Sequence, residues 1–301
     1  MTSDEPRQHF FESQRLRLAY WGWGDPAHPP CICLHGGVDH ARSWDRMAEA
    51  LSDTYYVVAP DLRGHGDSQW AIGGEYSTSQ NVVDLMALID RLGGPVRVLA
   101  HSFGGHVTFM AAGTFPERFH SIVAIEGRLA GWTQRRPFSP DLLRQAVVTR
   151  RGLETRTPRV YPSIEAARER LSQQNPRLGP ALARHIAEHA VRPVEPDTGE
   201  AGYVWKFDNW ARPGVRNEEV SLDEAKAFFA RIDRPVLYVV GGESGAKQNM
   251  QSAAGHFPNA RALVVAGAGH WVHHDAPELV IEAAREFFAG EGGSSRRSTG
   301  G

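Results

Sequence analysis

The chain has 301 residues and a mass of 33.2 kDa, enough for one large α/β unit or about two smaller domains. Lys plus Arg number 33 against 35 Asp plus Glu, a formal charge of −2 that argues against a nucleic-acid binder with its strongly basic face. Hydrophobic residues at 41% and charged residues at 23% exclude wholesale disorder. No apolar run approaches the ~20 residues of a membrane helix, so no membrane partner is expected. The first seven residues carry acids and no apolar stretch, so a secretory leader is not expected and a cytoplasmic location is.

Residues 16–21 and 31–34 are predicted as strands. In the second, Cys31 and Cys33 point to one face and are expected to be buried free thiols of a reducing compartment; no second cysteine pair completes a metal site. Residues 43–51 are predicted as a helix, with Trp44, Met47 and Leu51 at helical spacing. A strand at 55–59 stops at Pro60-Asp61. Val82, Leu85, Leu88, Ile89 and Leu92 share one face of a helix over 82–92, which Gly93-Gly94-Pro95 ends. A strand at 96–100, a helix at 104–115 and a strand at 121–125 follow. This alternation predicts a mostly parallel sheet covered on both faces.

The pattern breaks over residues 128–231, which hold 18 basic and 13 acidic residues. Short helices are predicted at 165–171 and 181–191, with an extended piece at 203–207. Alternation then resumes: strand 235–240, helix 248–257, strand 261–265, helix 277–288. The organisation expected is an α/β core over 1–127, a helical insertion over 128–231, the rest of the core over 232–289, and a disordered Gly/Ser-rich tail from 290.

Ala100-His101-Ser102-Phe103-Gly104-Gly105 lies between a strand and a helix. A serine on such a turn is a nucleophile elbow, with Ala100 where the usual pattern has glycine. The turn exposes the Ser102 hydroxyl and aims the Phe103 N–H where an oxyanion would form. Leu34-His35-Gly36-Gly37 ends an earlier strand, where the second oxyanion donor is expected. Gly37 is the candidate, with Val38 next to it, and His35 is expected to be structural. Gly267-Ala268-Gly269-His270 follows the last predicted strand. His270 on this loop can accept the serine proton, with His273 and His274 as local hydrogen-bonders. No carboxylate spacing completes a metal site around these histidines, and no metal or cofactor is expected.

These motifs, with Asp61-Leu62-Arg63-Gly64-His65-Gly66-Asp67-Ser68 and Pro116-Glu117-Arg118, make residues 10–289 resemble the α/β-hydrolase superfamily in its serine-hydrolase branch. The resemblance implies an eight-stranded, mostly parallel sheet with a helical lid inserted after the sixth strand. It makes the Asp61–Ser68 run a structural loop. Many members carry an aspartate after the seventh strand. Here that region reads Gly241-Gly242-Glu243-Ser244-Gly245, with no aspartate. Two candidates for the acid remain: Glu126, directly after the sixth strand and before Gly127, and Glu243. Glu126 also matches a group of serine-hydrolase-like proteins, as does the segment Tyr203-Val204-Trp205-Lys206-Phe207-Asp208.

The mechanism expected is attack by Ser102 on a carbonyl carbon, with His270 as base, followed by hydrolysis of an acyl-enzyme. The substrate expected is a small, partly apolar ester or lactone. Candidate pocket residues are His101, Val38, Trp132, Trp205, Trp210 and Trp271, with Trp44 and Phe103 beside the motif loops. The alternatives are cofactor-free lyase or perhydrolase chemistry with the same triad, or a ligand receptor without catalysis. An aspartate-nucleophile dehalogenase or epoxide hydrolase is disfavoured, because the elbow carries Ser102.

Overall fold

The computed structural model describes residues 5–127, 139–154, 156–194, 201–212, 221–245 and 254–290. The chain enters with an antiparallel pair, β1 (Arg7–Ser13) and β2 (Leu16–Trp23), joined by Gln14 and Arg15, both at positive φ. Sequence periodicity missed β1. Only Phe11 and Ser13 in it are buried, so the edge strand shows little alternation. Then come β3 (Pro30–Leu34), α1 (Asp45–Leu51), β4 (Tyr56–Pro60), α2 (Thr78–Leu92), β5 (Val96–His101), α3 (Phe103–Thr114) and β6 (Phe119–Ile125). The helix α2 starts four residues before its prediction, because Ser77 caps it by accepting the N–H of Gln80.

Between β6 and the next strand of the main sheet lie α4 (Pro140–Glu154), α5 (Ile164–Gln174), α6 (Pro180–Ala190), a small antiparallel pair, β7 (Val191–Val194) with β8 (Gly202–Trp205), and α7 (Leu222–Phe229). Sequence reading missed α4 and α7. The core resumes with β9 (Val236–Gly241), β10 (Ala260–Val265) and the C-terminal helix Pro277–Gly290. The predicted tail lies outside the described residues except Gly290, which ends that helix; of the predicted helix 248–257, residues 248–253 also lie outside.

Eight strands form one sheet in the order β1-β2-β4-β3-β5-β6-β9-β10, parallel from β4 to β10. Strands β3, β5, β6 and β9 are nearly solvent-free, which explains their continuous apolar runs. One face packs Leu88, Phe109, Phe229 and Tyr238 under α2, α3 and α7; the other packs Trp44, Leu51, Val265 and Phe288 under α1 and the C-terminal helix. Ala225 and Phe229 join the first layer, so α7 packs on the same face of the sheet as α3. The insertion has a small apolar centre of its own, Leu171, Leu178, Ala183, Ile186 and Ala187, against which Trp271 of the core packs.

Candidate active site

Ser102 sits between the last residue of β5 and the first of α3 with φ 50 and ψ −111, a backbone state costly for a residue with a side chain. The surrounding structure holds it there. The Ser102 N–H donates to the Ile125 carbonyl (3.0 Å). A Cβ on Gly104 would meet the carbonyl oxygens of Leu34 at 2.4 Å and His35 at 2.6 Å, so only glycine lets α3 start this close to the end of β3. A Cβ on Gly105 would lie 2.5 Å from the Gly127 Cα, which places the first turn of α3 against the chain leaving β6.

Glu126 begins that chain segment. Its backbone is also left-handed (φ 51), its N–H donates to the Val239 carbonyl (2.9 Å), and its side chain is fully buried. The carboxylate is nevertheless well supplied with donors. Oε1 accepts the Gly241 N–H (2.8 Å), and Oε2 accepts the Ser244 hydroxyl (2.7 Å) and the His270 Nδ1–H (3.0 Å). A buried carboxylate is tolerable when its lone pairs are filled in this way. His270 Nε2, left as an acceptor, stands 3.0 Å from the Ser102 Oγ. Tyr238 O–H donates to the Gly127 carbonyl and fixes the turn behind Glu126.

The loop carrying His270 is braced from below. The His101 Nε2–H donates to the His270 carbonyl (3.0 Å), and the Gly269 N–H donates to Asp275 Oδ2 (2.7 Å). His101 is 2% exposed and supports the loop from beneath. His273 stacks on Trp44. Burial lowers the pKa of His101 and His273 well below the usual imidazole value and that of His274 to about 3. These three rings are therefore neutral at pH 7, and none places a second positive charge beside His270 when it is protonated.

Glu243 takes a different position. Its N–H donates to the Ala268 carbonyl (2.9 Å), but its side chain is 56% exposed and ion-paired with Arg177. The structure brings together Ser102, His270 and Glu126, and leaves Glu243 outside. It also shows two residues that sequence reading assigned no role, Gly241 and Ser244, as donors to Glu126. The signal for Ser244 was its place where relatives carry an aspartate.

Gly36 passes against the elbow: a Cβ there would lie 3.3 Å from the Ser102 Cβ. Gly37 and Val38 continue this loop. The Val38 N–H donates to His65 Nε2 (3.2 Å), and Val38 itself is 42% exposed at φ 59. His35 is buried and structural, accepting the Leu62 N–H (3.0 Å). The Asp61–Ser68 loop is structural too. Asp61 accepts the N–H groups of Ala41 (2.7 Å) and Asp67 (2.9 Å), and Arg63 forms a buried ion pair with Asp84 (2.6 Å).

Of the tryptophans expected at a pocket, Trp271 stands edge-on to His101 beside His270. Trp205 donates its indole N–H to the Tyr161 hydroxyl (3.1 Å) within the insertion, and Trp210 packs with Ala71, Tyr76 and Ala211 in a separate cluster. Trp205 also packs, with Trp271, against the apolar centre of the insertion, and Trp44 is fully buried. Trp132 lies outside the described residues.

The α/β-hydrolase fold family matches residues 29–277. The chain belongs to this family. Lipase LipV of Mycobacterium tuberculosis is 37% identical over 116 residues, 38% of this chain but only 42% of that protein. Esterase Rv0045c of the same organism is 27% identical over 270 residues, covering 87% of this chain and 83% of the relative. Among solved structures, the thioesterase domain from the curacin biosynthetic pathway superposes with a TM-score of 0.82 over 94% of this chain and 99% of its own, at 23% identity, a likeness of fold. Within the family, this chain is an esterase-like serine hydrolase. Among the described residues, no helix is long and apolar enough to cross a membrane.

Proposed function

We propose that the protein hydrolyses a carboxylic ester or lactone of a small, partly apolar substrate through an acyl-enzyme on Ser102. The observation that carries this reading is the continuous relay from the buried Glu126 carboxylate through His270 to the Ser102 Oγ, with both links at 3.0 Å. Glu126 holds the imidazole in the tautomer that presents Nε2 to the hydroxyl, and stabilises the imidazolium formed when Ser102 attacks. The backbone N–H groups of Phe103 and Gly37 receive the oxyanion, and Val38 is a poorer candidate because its N–H is given to His65. His270 returns the proton to the leaving group, and water resolves the acyl-enzyme.

The insertion is the lid in this reading. Among its ties to the site loops are Trp271 in its apolar centre, the His40 Nε2–H to the Ile186 carbonyl (3.0 Å), and Arg177 to the Gly267 carbonyl (2.7 Å). The buried free thiols Cys31 and Cys33 suit a reducing, cytoplasmic compartment.

The test is labelling of the folded protein with a fluorophosphonate, with the modified peptide located by mass spectrometry. Rapid labelling at Ser102, abolished in Ser102→Ala and strongly slowed in His270→Ala, is expected. A folded protein that does not label at Ser102 overturns the acyl-enzyme reading. A labelled protein inert towards a panel of esters and lactones moves the chemistry to another carbonyl class.

A further inference from the structure

Away from Ser102, a second group of ionisable side chains meets where α6 crosses the start of α1. His185 and His189 stand one helical turn apart on α6, a spacing that puts both imidazoles on one face. Asp45, the first residue of α1, faces them, and the three side chains offer ligand atoms that all lie within 4.8 Å of one another. His185 Nε2 is 3.1 Å from Asp45 Oδ2. Neighbouring ligands of a tetrahedral ion with bonds of about 2.0–2.1 Å are separated by roughly 3.3 Å. The two rings meet edge to face with centroids 4.8 Å apart. Among the described residues, the His189 ring has no hydrogen-bond partner. It faces a cleft of about 280 Å³, lined also by Trp21, His40, Arg42 and Lys206, which gives an ion a way in. None of Ser102, Glu126 and His270 lines this cleft.

We propose that Asp45, His185 and His189 bind a divalent transition ion, Zn²⁺ above all, which staples the inserted α6 to α1 of the core. Two imidazoles and one carboxylate suit Zn²⁺, with water as the fourth ligand. The His185 Nε2–H now lies between the Arg42 carbonyl (3.2 Å) and Asp45 Oδ2 (3.1 Å); the ion takes the place of that proton, which leaves to solvent. Arg42 remains on the carboxylate, with its Nε donating to Oδ1 at 2.8 Å and its Nη2 to Oδ2 at 2.6 Å. Its charge beside the ion makes this site weaker than a structural zinc centre and fits a reversible clamp. The clamp bears on the active site through one neighbour: the Ile186 carbonyl of α6 accepts the His40 Nε2–H, and His40 follows Val38 by two residues. The ion takes no part in the proposed acyl transfer. Asp45 is far from the two histidines in the chain, so the local i, i+4 spacing of His185 and His189 does not reveal the third ligand.

The experiment uses the 301-residue chain freed of metal with EDTA. It is titrated with Co²⁺ while visible absorption is followed, and with Zn²⁺ by calorimetry and thermal unfolding. One Co²⁺ per chain with tetrahedral-type absorption is expected, together with a Zn²⁺-dependent rise in Tm. His185→Gln and His189→Gln should each weaken Zn²⁺ at least about tenfold and abolish the rise in Tm. His9→Gln, on β1, should bind as the wild type does. If one variant does not fold, the other carries the test. Folded variants that bind Zn²⁺ as tightly as the wild type overturn the proposal. So does Zn²⁺ that competes with fluorophosphonate labelling equally in all variants, because the ion would then sit on His270. Metal-free protein that still labels at Ser102 separates failure of this site from failure of the acyl-enzyme reading.

Discussion

Two glutamates stand at the ends of neighbouring parallel strands, and the structure treats them in opposite ways. Glu126, after β6, is fully buried, takes a left-handed backbone and accepts three hydrogen bonds. Glu243, after β9, extends into solvent and pairs with Arg177. The strand beside that of Ser102 carries the carboxylate that faces His270, and the next strand supplies the donors that make a buried carboxylate tolerable. The end of β9 contributes donors: the Gly241 N–H and the Ser244 hydroxyl hold the carboxylate that faces His270.

The sharpest way to break this comparison is Glu126→Gln. The amide keeps the shape but removes the charge that supports the imidazolium, so kcat should fall by about 10³- to 10⁴-fold. Steady-state kinetics on any ester the enzyme accepts decide it, and unchanged turnover would remove Glu126 from the mechanism. Gly105→Ala tests the packing that fixes the same region. The added methyl meets backbone at the Gly127 Cα, where no side chain can move aside, and should cost about 3 kcal/mol or more of stability. Denaturant unfolding measures it, and a wild-type midpoint would show that the first turn of α3 can shift freely.

Ser244→Ala is a finer probe. It deletes one donor to Glu126 and should lower kcat by about tenfold with little change in KM. A change confined to KM would make Ser244 a substrate contact instead. At the small end, Glu243→Gln should change turnover by no more than about twofold, and Arg177→Ala should cost about 0.5 kcal/mol or less in stability, as for an exposed ion pair. A large kinetic loss in Glu243→Gln would reverse the two roles. Chemical denaturation and kinetics measured on one preparation read both effects.

Most of the sheet could be read in the chain because its central strands are buried on both faces and therefore appear as unbroken apolar runs between turn residues. The Ser102 elbow and the His270 loop could be read because tight turns restrict composition locally: Gly104 has no room for a methyl beside two carbonyl oxygens. The edge strand β1, half exposed, left no such trace. The helix α7 resembled its neighbours in the insertion until packing placed Phe229 in the core.

Sequence by itself determined the fold class, the nucleophile candidate, the base candidate and a choice between two acids, since each depends on local pattern or motif order. Only the tertiary structure decided which acid faces His270, that Ser244 and Gly241 hold it, that His101 is a buried brace, and that Trp205 and Trp271 share one apolar centre while Trp210 joins another. The reason is distance along the chain. Burial and hydrogen-bond supply for a carboxylate are set by residues that meet only when β6, β9 and the loop after β10 lie side by side, and no window of sequence contains all three.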